Sequence, residues 1–527
     1  MSASDPIQHT LPALVARAAR RFGDREAITD GAVRLSWNQV DAMRRRAARA
    51  FIASGIRHGD RVAIWAPNIH EWMLAAIGLQ SLGAVLVPLN TRFKGAEAAD
   101  ILRRSGARML FTISGFLGTD YPVLLAGEDL PALERTILLR GESAGATGWQ
   151  RFLATADGVT EGEVDAHAAK VRPGDVADVM FTSGTTGRSK GALLTHEQNI
   201  RGFESFSSLY GLRADDVMLV IPPFFHSFGY KAGWLACTIF GSRMVPTITF
   251  DPDHLVGVIQ REKITVIPGP PTIFHGLLAH PRRKEYDLSS LRVAATGATT
   301  VPVELVKRMY AELDLDVVAV GYGLTESTAL VSITRPDDTP EKIATTVGKP
   351  IPGLEVRCVD PEGKTLPHGQ AGEILVRGYL VMQGYFNDPE ATAKAIDKDG
   401  WLHTGDVGMY DEDGYLKVTD RIKDMYIAGG FNCYPAEIEN ILMQMPGVAQ
   451  VAVIGVPDER LGEVGKAFII PRAGAQLTES GVIAWAREQM ANFKAPRYVA
   501  FVDSYPLNPS GKVLKTELRE RERTKTT

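Results

Sequence analysis

Short apolar runs that stop at glycine or proline recur along most of this chain, and they restrict its fold more than any other feature. Arg61-Val-Ala-Ile-Trp-Ala66 and Ala84-Val-Leu-Val-Pro88 flank a helical stretch through Trp72 to Gly83. The theme returns at Val179-Met-Phe181, Met218-Leu-Val-Ile221, Ile264-Thr-Val-Ile267, Val293-Ala-Ala295 and Val317-Val-Ala-Val320. Runs this short, with little polar alternation, read as buried strands. Leu11 to Phe22 and Val40 to Ile56 carry apolar residues at helical spacing. Strands alternating with helices predict parallel sheets covered by helices, an α/β architecture. In open sheets of this kind ligands bind beyond the carboxyl ends of the strands. Chemistry is therefore expected in the segments that follow the apolar runs.

The pattern changes from about Gly348 to Thr419, where short alternating strands such as Glu373-Ile-Leu-Val-Arg377 and Tyr415-Leu-Lys-Val-Thr419 are separated by Gly and Asp. This predicts a small β-rich subdomain. A boundary falls at Asp420 to Asp424, and a compact α+β unit follows. Pro435 opens a helix there, at the position where a missing N–H costs nothing. Ile438, Ile441, Leu442 and Met445 share one face of it, and strands Val448–Val456 and Lys466–Pro471 and a helix through Trp485 come next. The expected domains are 1–419, including the subdomain at 348–419, and 425–527, joined by 420–424.

Composition excludes several classes. Of 527 residues, 45% are hydrophobic and 23% charged, enough apolar material for several cores. A net charge of −4 lacks the basic excess of a nucleic-acid binder. The three cysteines, Cys237, Cys358 and Cys433, stand far apart and predict neither disulfide framework nor structural zinc. No apolar run is long enough for a membrane span. The first residues, Met1 to Pro6, lack the basic start and apolar run of a secretory signal, and the expectation is a cytoplasmic protein. Self-association into a homo-oligomer is left open.

The strongest local signal is Phe181-Thr-Ser-Gly-Thr-Thr-Gly-Arg-Ser-Lys-Gly191, directly after a strand. Thr182, Ser183, Thr185 and Thr186 supply hydroxyls. Gly184 and Gly187 permit backbone N–H groups to converge on an anion, and Lys190 adds positive charge. A polyphosphate needs this set of donors. The loop is not of the Walker type, which would require glycine where Ser189 stands. On these residues alone a flexible surface linker is the other reading.

Gly321-Tyr-Gly-Leu-Thr-Glu-Ser327 also follows a strand. A carboxylate beside a phosphate site needs a cation between them, which makes Glu326 a candidate Mg²⁺ ligand. Thr325 can donate to a phosphate and Tyr322 can stack on a base; an ordinary strand-end turn with an exposed acid reads equally well. Thr296-Gly-Ala-Thr299 offers the small residues Gly297 and Ala298. Asp406, in Trp401-Leu-His-Thr-Gly-Asp406, can accept from two ribose hydroxyls. Arg421, in Asp420-Arg-Ile-Lys-Asp424, can reach a hydroxyl or phosphate. For either one alone a surface ion pair is the commoner explanation. Pro506-Leu-Asn-Pro-Ser-Gly-Lys512 is a tight turn presenting Lys512, and a lysine on a turn is most often merely solvated. Lys494 and Lys515 are weaker candidates. Pro222-Pro-Phe-Phe-His-Ser-Phe-Gly-Tyr-Lys-Ala-Gly233 and Pro268-Gly-Pro-Pro-Thr-Ile-Phe274 supply apolar, aromatic walls. His226 lies within the first of them, either in a pocket or as a hydrogen-bonded structural residue.

Taken together and in this order, these motifs resemble those of the adenylate-forming superfamily, which includes acyl-CoA synthetases, peptide-synthetase adenylation domains and beetle luciferases. The resemblance runs over nearly the whole chain, with Ser189 standing where many members have proline. It implies a doubly wound N-terminal domain and a mobile α+β C-terminal domain. It implies an enzyme that activates a carboxylic acid with ATP and Mg²⁺, then transfers the acyl group to coenzyme A. The hydroxyl-rich loop would hold the β- and γ-phosphates. Tyr322, Thr325 and Glu326 would serve adenine, α-phosphate and Mg²⁺; Gly297 and Ala298 would wall the adenine and acyl pockets; Asp406 and Arg421 would bind the nucleotide. Lys512 would bridge the substrate carboxylate and the α-phosphate, and His226 would lie near that carboxylate. Lys423 would sit at the hinge, where many relatives have aspartate. Gly429 and Gly430, in Ala428-Gly-Gly-Phe-Asn432, would line the tunnel for the thiol arm, with Glu437 as a local organiser. The segments PFFHSFGYKAG, PGPPTIF and KDMYIAGGFNCYPAEIE look most like bacterial ligases for medium-chain or ring-bearing propanoate acids, among them the ring-propanoate left late in steroid degradation. Transfer to a separate carrier protein and a luciferase-like oxygenase are the alternatives; no fused carrier module is expected after Lys512.

Overall fold

The computed structural model describes residues 8–182, 189–297, 301–421, 424–428, 431–458, 460–490, 492–507 and 513–525. The apolar runs are strands. Val85–Pro88, Arg61–Trp65, Met109–Phe116 and Arg135–Arg140 lie side by side in parallel, and Val176–Thr182 extends them past Val85–Pro88. An eight-stranded sheet results, in which the edge strand Lys190–Thr195 runs antiparallel to Val176–Thr182. A second, nine-stranded sheet has a parallel centre in the order Val317–Tyr322, Val293–Gly297, Val266–Pro268, Val217–Val220, Arg243–Pro246 and Glu26–Asp30. Its edges are closed by antiparallel strands. Val293–Gly297 is buried along its whole length, as expected of a central parallel strand with helices on both faces.

Helix limits follow their caps. Leu11–Phe22 has the predicted bounds: Pro12 stands at its start and Gly23, at φ 54°, stops it. The second helix runs Trp37–Ala53, three residues earlier at each end than apolar spacing alone predicts. The reason is a capping box. Gln39 N–H donates to Ser36 Oγ at 3.2 Å, and Ser36 N–H donates to Gln39 Oε1 at 2.8 Å.

The chain divides into two compact units, 1–355 with 376–402, and 356–375 with 403–527. The first contains both large sheets. The second carries most of a four-stranded sheet in the order Leu354–Val359, Gly372–Gly378, Leu402–Tyr410, Leu416–Arg421. It also carries a five-stranded sheet built on the long hairpin Val448–Asp458 and Gly462–Pro471. Helix Pro435–Leu442 buries Ile438 and Leu442 against Val448, Val453, Ile469 and Val482, and Ile441 and Met445 pack at the margin. This is the face anticipated from their spacing. All three cysteines are buried and none forms a disulfide. Among the described residues no helix is long and apolar enough to cross a membrane.

Candidate functional site

The hydroxyl-rich loop begins where a strand ends and returns into its antiparallel neighbour. Thr182 pairs with Lys190 across that ladder, and Thr182 Oγ1 donates to the Lys190 carbonyl at 3.3 Å. The stretch between them, with Ser183, Gly184, Thr185, Thr186 and Gly187, lies outside the described residues. The strand Lys190–Thr195 feeds directly into helix His196–Leu209 through a capping box of Thr195 and Gln198. That box pins the far end of the hairpin. Arg104, which the sequence did not mark, stands at the near end. It donates to Ser189 Oγ at 3.4 Å and lies over the Phe181 ring at 5.3 Å.

Glu326 sits on a single 3₁₀ turn, Thr325–Ser327, just beyond strand Val317–Tyr322. Tyr322 is the last residue of that strand and pairs with Ser332. The turn reverses tightly. Thr328 and Ala329 both have positive φ, 55° and 65°, held by Thr328 Oγ1 donating to the Leu380 carbonyl at 2.7 Å and by Ala329 N–H donating to the Leu324 carbonyl at 2.8 Å. Gly323 is required here, since a Cβ on it would meet the Ala329 backbone at 2.3 Å. Non-glycine residues kept in this region cluster at ligand sites, because surrounding structure has to over-determine them.

The structure brings these two segments together through one residue absent from the sequence-based list, Tyr385. Its hydroxyl donates to Glu326 Oε1 at 2.8 Å, and the Lys190 ammonium lies 5.1 Å from its ring centre. Met382 N–H donates to the Glu326 carbonyl at 2.8 Å, so main chain and side chain of the turn are both held from the same segment. Burial, aided by the charge of Glu326, pushes the Tyr385 hydroxyl well above its ordinary pKa, so it remains a donor. Glu326 is half-buried, and among the described residues no basic side chain pairs with it. A half-buried carboxylate with one oxygen on a neutral donor and no cation partner fits a magnesium ion.

Gly297 ends strand Val293–Gly297 beside Gly321 of the next strand. A Cβ on Gly297 would stand 2.5 Å from the Gly321 carbonyl oxygen. Gly297→Ala is expected to cost about 1–3 kcal/mol through overpacking, seen as a lower midpoint in thermal unfolding; an unchanged midpoint would show that the strand ends separate freely. Ala298 lies outside the described residues. His226 is exposed and caps the short helix Ser227–Gly229, its Nδ1 accepting from Phe228 N–H at 3.2 Å. With Nδ1 accepting, the proton of the neutral imidazole sits on Nε2. A π-helical turn, Tyr230–Leu235, follows, a form frequent at functional sites. Inside it Lys231 is wholly buried and pairs with wholly buried Asp178 at 3.2 Å.

In the second unit Asp406 is buried and stands opposite Arg421 in the ladder between Leu402–Tyr410 and Leu416–Arg421. The two residues expected to bind the nucleotide are thus cross-strand neighbours. The turn leading to Asp406 is fixed by Gly405 N–H donating to Glu373 Oε1 at 3.2 Å and Asp406 N–H to Thr404 Oγ1 at 3.1 Å. Lys494 and Lys515 are engaged in ion pairs, with Glu437 and Glu439 respectively, at 2.6 Å each. Those pairings give both lysines a structural use. Lys423, Gly429, Gly430 and Lys512 lie outside the described residues.

One other group of potential metal ligands exists among the described residues, Asp30, His70 and Glu71. Arg140 donates to Asp30 and, at 2.8 Å, to Glu71. A guanidinium already supplies the positive charge there, which argues for an ion-pair network.

The AMP-binding enzyme family matches residues 15–386, and the AMP-binding enzyme C-terminal domain matches residues 437–512. The chain belongs to the AMP-binding enzyme family. It is 50% identical over 520 residues, 98% of this chain and 99% of the relative, to the 3-[(3aS,4S,7aS)-7a-methyl-1,5-dioxo-octahydro-1H-inden-4-yl]propanoyl:CoA ligase of Rhodococcus jostii (strain RHA1). ATP-bound MatB from Rhodopseudomonas palustris is similar in structure, with a TM-score of 0.85 and 30% identity over 97% of this chain and 98% of that one. The anthranilate CoA ligase AuaEII in complex with anthranoyl-AMP has a TM-score of 0.88 and 28% identity, covering 99% of each chain. As an AMP-binding enzyme of this group, the chain is an adenylate-forming acid–thiol ligase that uses ATP, Mg²⁺ and coenzyme A.

Proposed function

We propose that this AMP-binding enzyme converts a ring-bearing propanoate, of the kind left late in steroid degradation, into its CoA ester. The observation that carries the reading is half identity, over nearly the full length of both chains, to a ligase whose acid is a propanoate on a methylated, dioxygenated octahydroindene. The composition of segment 222–234, apolar and aromatic, suits an acid with a bulky apolar body. Its Phe224, Tyr230 and Trp234 are packed in the core, with Tyr230 and Trp234 stacked 4.7 Å apart.

In this reading the loop from Thr182 to Lys190 takes the β- and γ-phosphates, and Thr325 the α-phosphate. Tyr322 stacks on adenine, with Gly297 and Ala298 beside it. Asp406 and Arg421 hold the ribose and phosphate side of the nucleotide. Glu326 would hold Mg²⁺, which when bound supplies charge neutralisation at the phosphates. His226 borders the acyl entrance. A substrate carboxylate oxygen attacks the α-phosphorus, the bond to the β-phosphate breaks, and pyrophosphate leaves. Lys512 bridges the two reacting anions and stabilises the charge that develops. In the second step the thiol of coenzyme A attacks the acyl carbon and AMP leaves. The domain 425–527 turns about 420–424, with Lys423 as pivot, so that Lys512 withdraws and Gly429 and Gly430 admit the pantetheine arm.

The test is a panel of carboxylic acids with ATP, Mg²⁺ and coenzyme A, assayed for CoA esters by mass spectrometry. Fused-ring propanoates should exceed straight-chain acids of equal carbon number by on the order of 10²-fold in kcat/KM. Preference for straight-chain acids would reject the substrate, and transfer to a carrier protein alone would reject the thiol.

A further inference from the structure

We propose that Tyr385 is a positioning residue that sets the Glu326 carboxylate for its metal ion and the Lys190 ammonium for the phosphates. The proposal rests on the roles given above to Glu326 and Lys190, and it adds the device that holds them in register.

The case begins with the backbone. Residues 383–386 lie along the return strand of the phosphate hairpin as if adding to it. Gln383 N–H donates to the Leu193 carbonyl at 3.0 Å, Leu193 N–H to the Gly384 carbonyl at 2.9 Å, and Phe386 N–H to the Gly191 carbonyl at 2.7 Å. Ala192 and Tyr385 form a bridge, and Tyr385 N–H donates to Thr392 Oγ1 at 2.8 Å. The main chain that carries the ring is therefore tied to the hairpin. From this anchored position the side chain touches two groups far apart in sequence, the carboxylate of 326 and the ammonium of 190.

Each contact has a distinct chemical consequence. The hydroxyl occupies Oε1 and so fixes the rotation of the carboxylate, leaving Oε2 for the ion. Partners of this kind behind a metal ligand govern metal affinity by about 10- to 100-fold. The ring face attracts the ammonium without neutralising it, so the lysine keeps its full charge for an incoming phosphate. A carboxylate in the same place would have quenched that charge.

Two substitutions separate the contacts. Tyr385→Phe removes the hydroxyl and keeps the ring; Tyr385→Leu removes both. Binding of a non-hydrolysable ATP analogue to the full chain is measured by calorimetry across a magnesium series and again with magnesium chelated. Tyr385→Phe should raise the magnesium midpoint about tenfold and leave chelated-nucleotide affinity unchanged. Tyr385→Leu should further weaken chelated-nucleotide binding about threefold. Glu326→Gln is run alongside. If it shifts the magnesium midpoint while Tyr385→Phe does not, the positioning role is overturned and the metal-ligand role stands. If Glu326→Gln leaves the midpoint unmoved, the reading of Glu326 itself fails. A merely structural tyrosine would lower thermal stability without moving either midpoint.

Discussion

Lys231→Met destabilises the larger unit by about 3–5 kcal/mol, because it strands a buried charge. Lys231 and Asp178 are both wholly inaccessible and face one another at 3.2 Å. Burial pushes the Lys231 ammonium below its ordinary pKa and the Asp178 carboxyl above its own, with each partner's charge opposing the change. Asn199 also donates to Asp178, at 2.6 Å, but a neutral amide cannot replace a cation. Removing the ammonium therefore leaves the carboxylate to take up a proton or remain uncompensated. The double variant Asp178→Asn with Lys231→Met removes both charges and should recover most of the loss, as apolar replacements of buried pairs often do. Chemical denaturation of the two variants beside the unaltered chain checks this; equal midpoints for the single and double variants would show that the pair is not energetically coupled. The location gives the result a functional edge. Asp178 is on the strand leading to the phosphate loop, and Lys231 is on the π-helical turn after His226.

Lys512→Ala should lower adenylate formation by on the order of 10²- to 10³-fold, the cost of deleting one donor at a developing anion. The substrate carboxylate and the α-phosphate are both negative, and their approach needs a cation placed between them. Thioester formation starts from a mixed anhydride in which that repulsion is gone. Supplied acyl-adenylate should therefore still be converted to the CoA ester by the variant at close to the normal rate. Pyrophosphate release and CoA-ester formation, measured separately, decide the matter. An equal fall in both would place Lys512 outside the first step and favour a general structural role.

The strands that carry the site were legible because each is an apolar run ending in small residues. Val293–Gly297 ends at Gly297, which pairs with Gly321 near the end of Val317–Tyr322, too close there for a side chain on Gly297. The α+β unit was legible for a similar reason, since Pro435 and the apolar spacing after it specify one helix face locally. The second helix was displaced because Ser36 and Gln39 satisfy its first N–H groups, which apolar spacing does not register. The residues missed share one property: their meaning lies in a partner. Tyr385 stands 59 positions from Glu326, beyond the reach of any local pattern. Lys231 stands unmarked within an aromatic segment until Asp178 is seen against it. Lys494 and Lys515 read as candidates until Glu437 and Glu439 claim them.

By itself the order of residues determined the α/β class and, through the resemblance of its motifs, the family to which the enzyme belongs. The class follows from local rules, the period of the apolar runs and the glycines that end them, and the family from the order in which the motifs stand. Only the tertiary structure decided that Tyr385 joins Lys190 to Glu326 and that Asp406 stands across from Arg421. Contacts between distant segments are set by how sheets and turns stack, and burial then determines which charges are matched, a balance that no single stretch of chain contains.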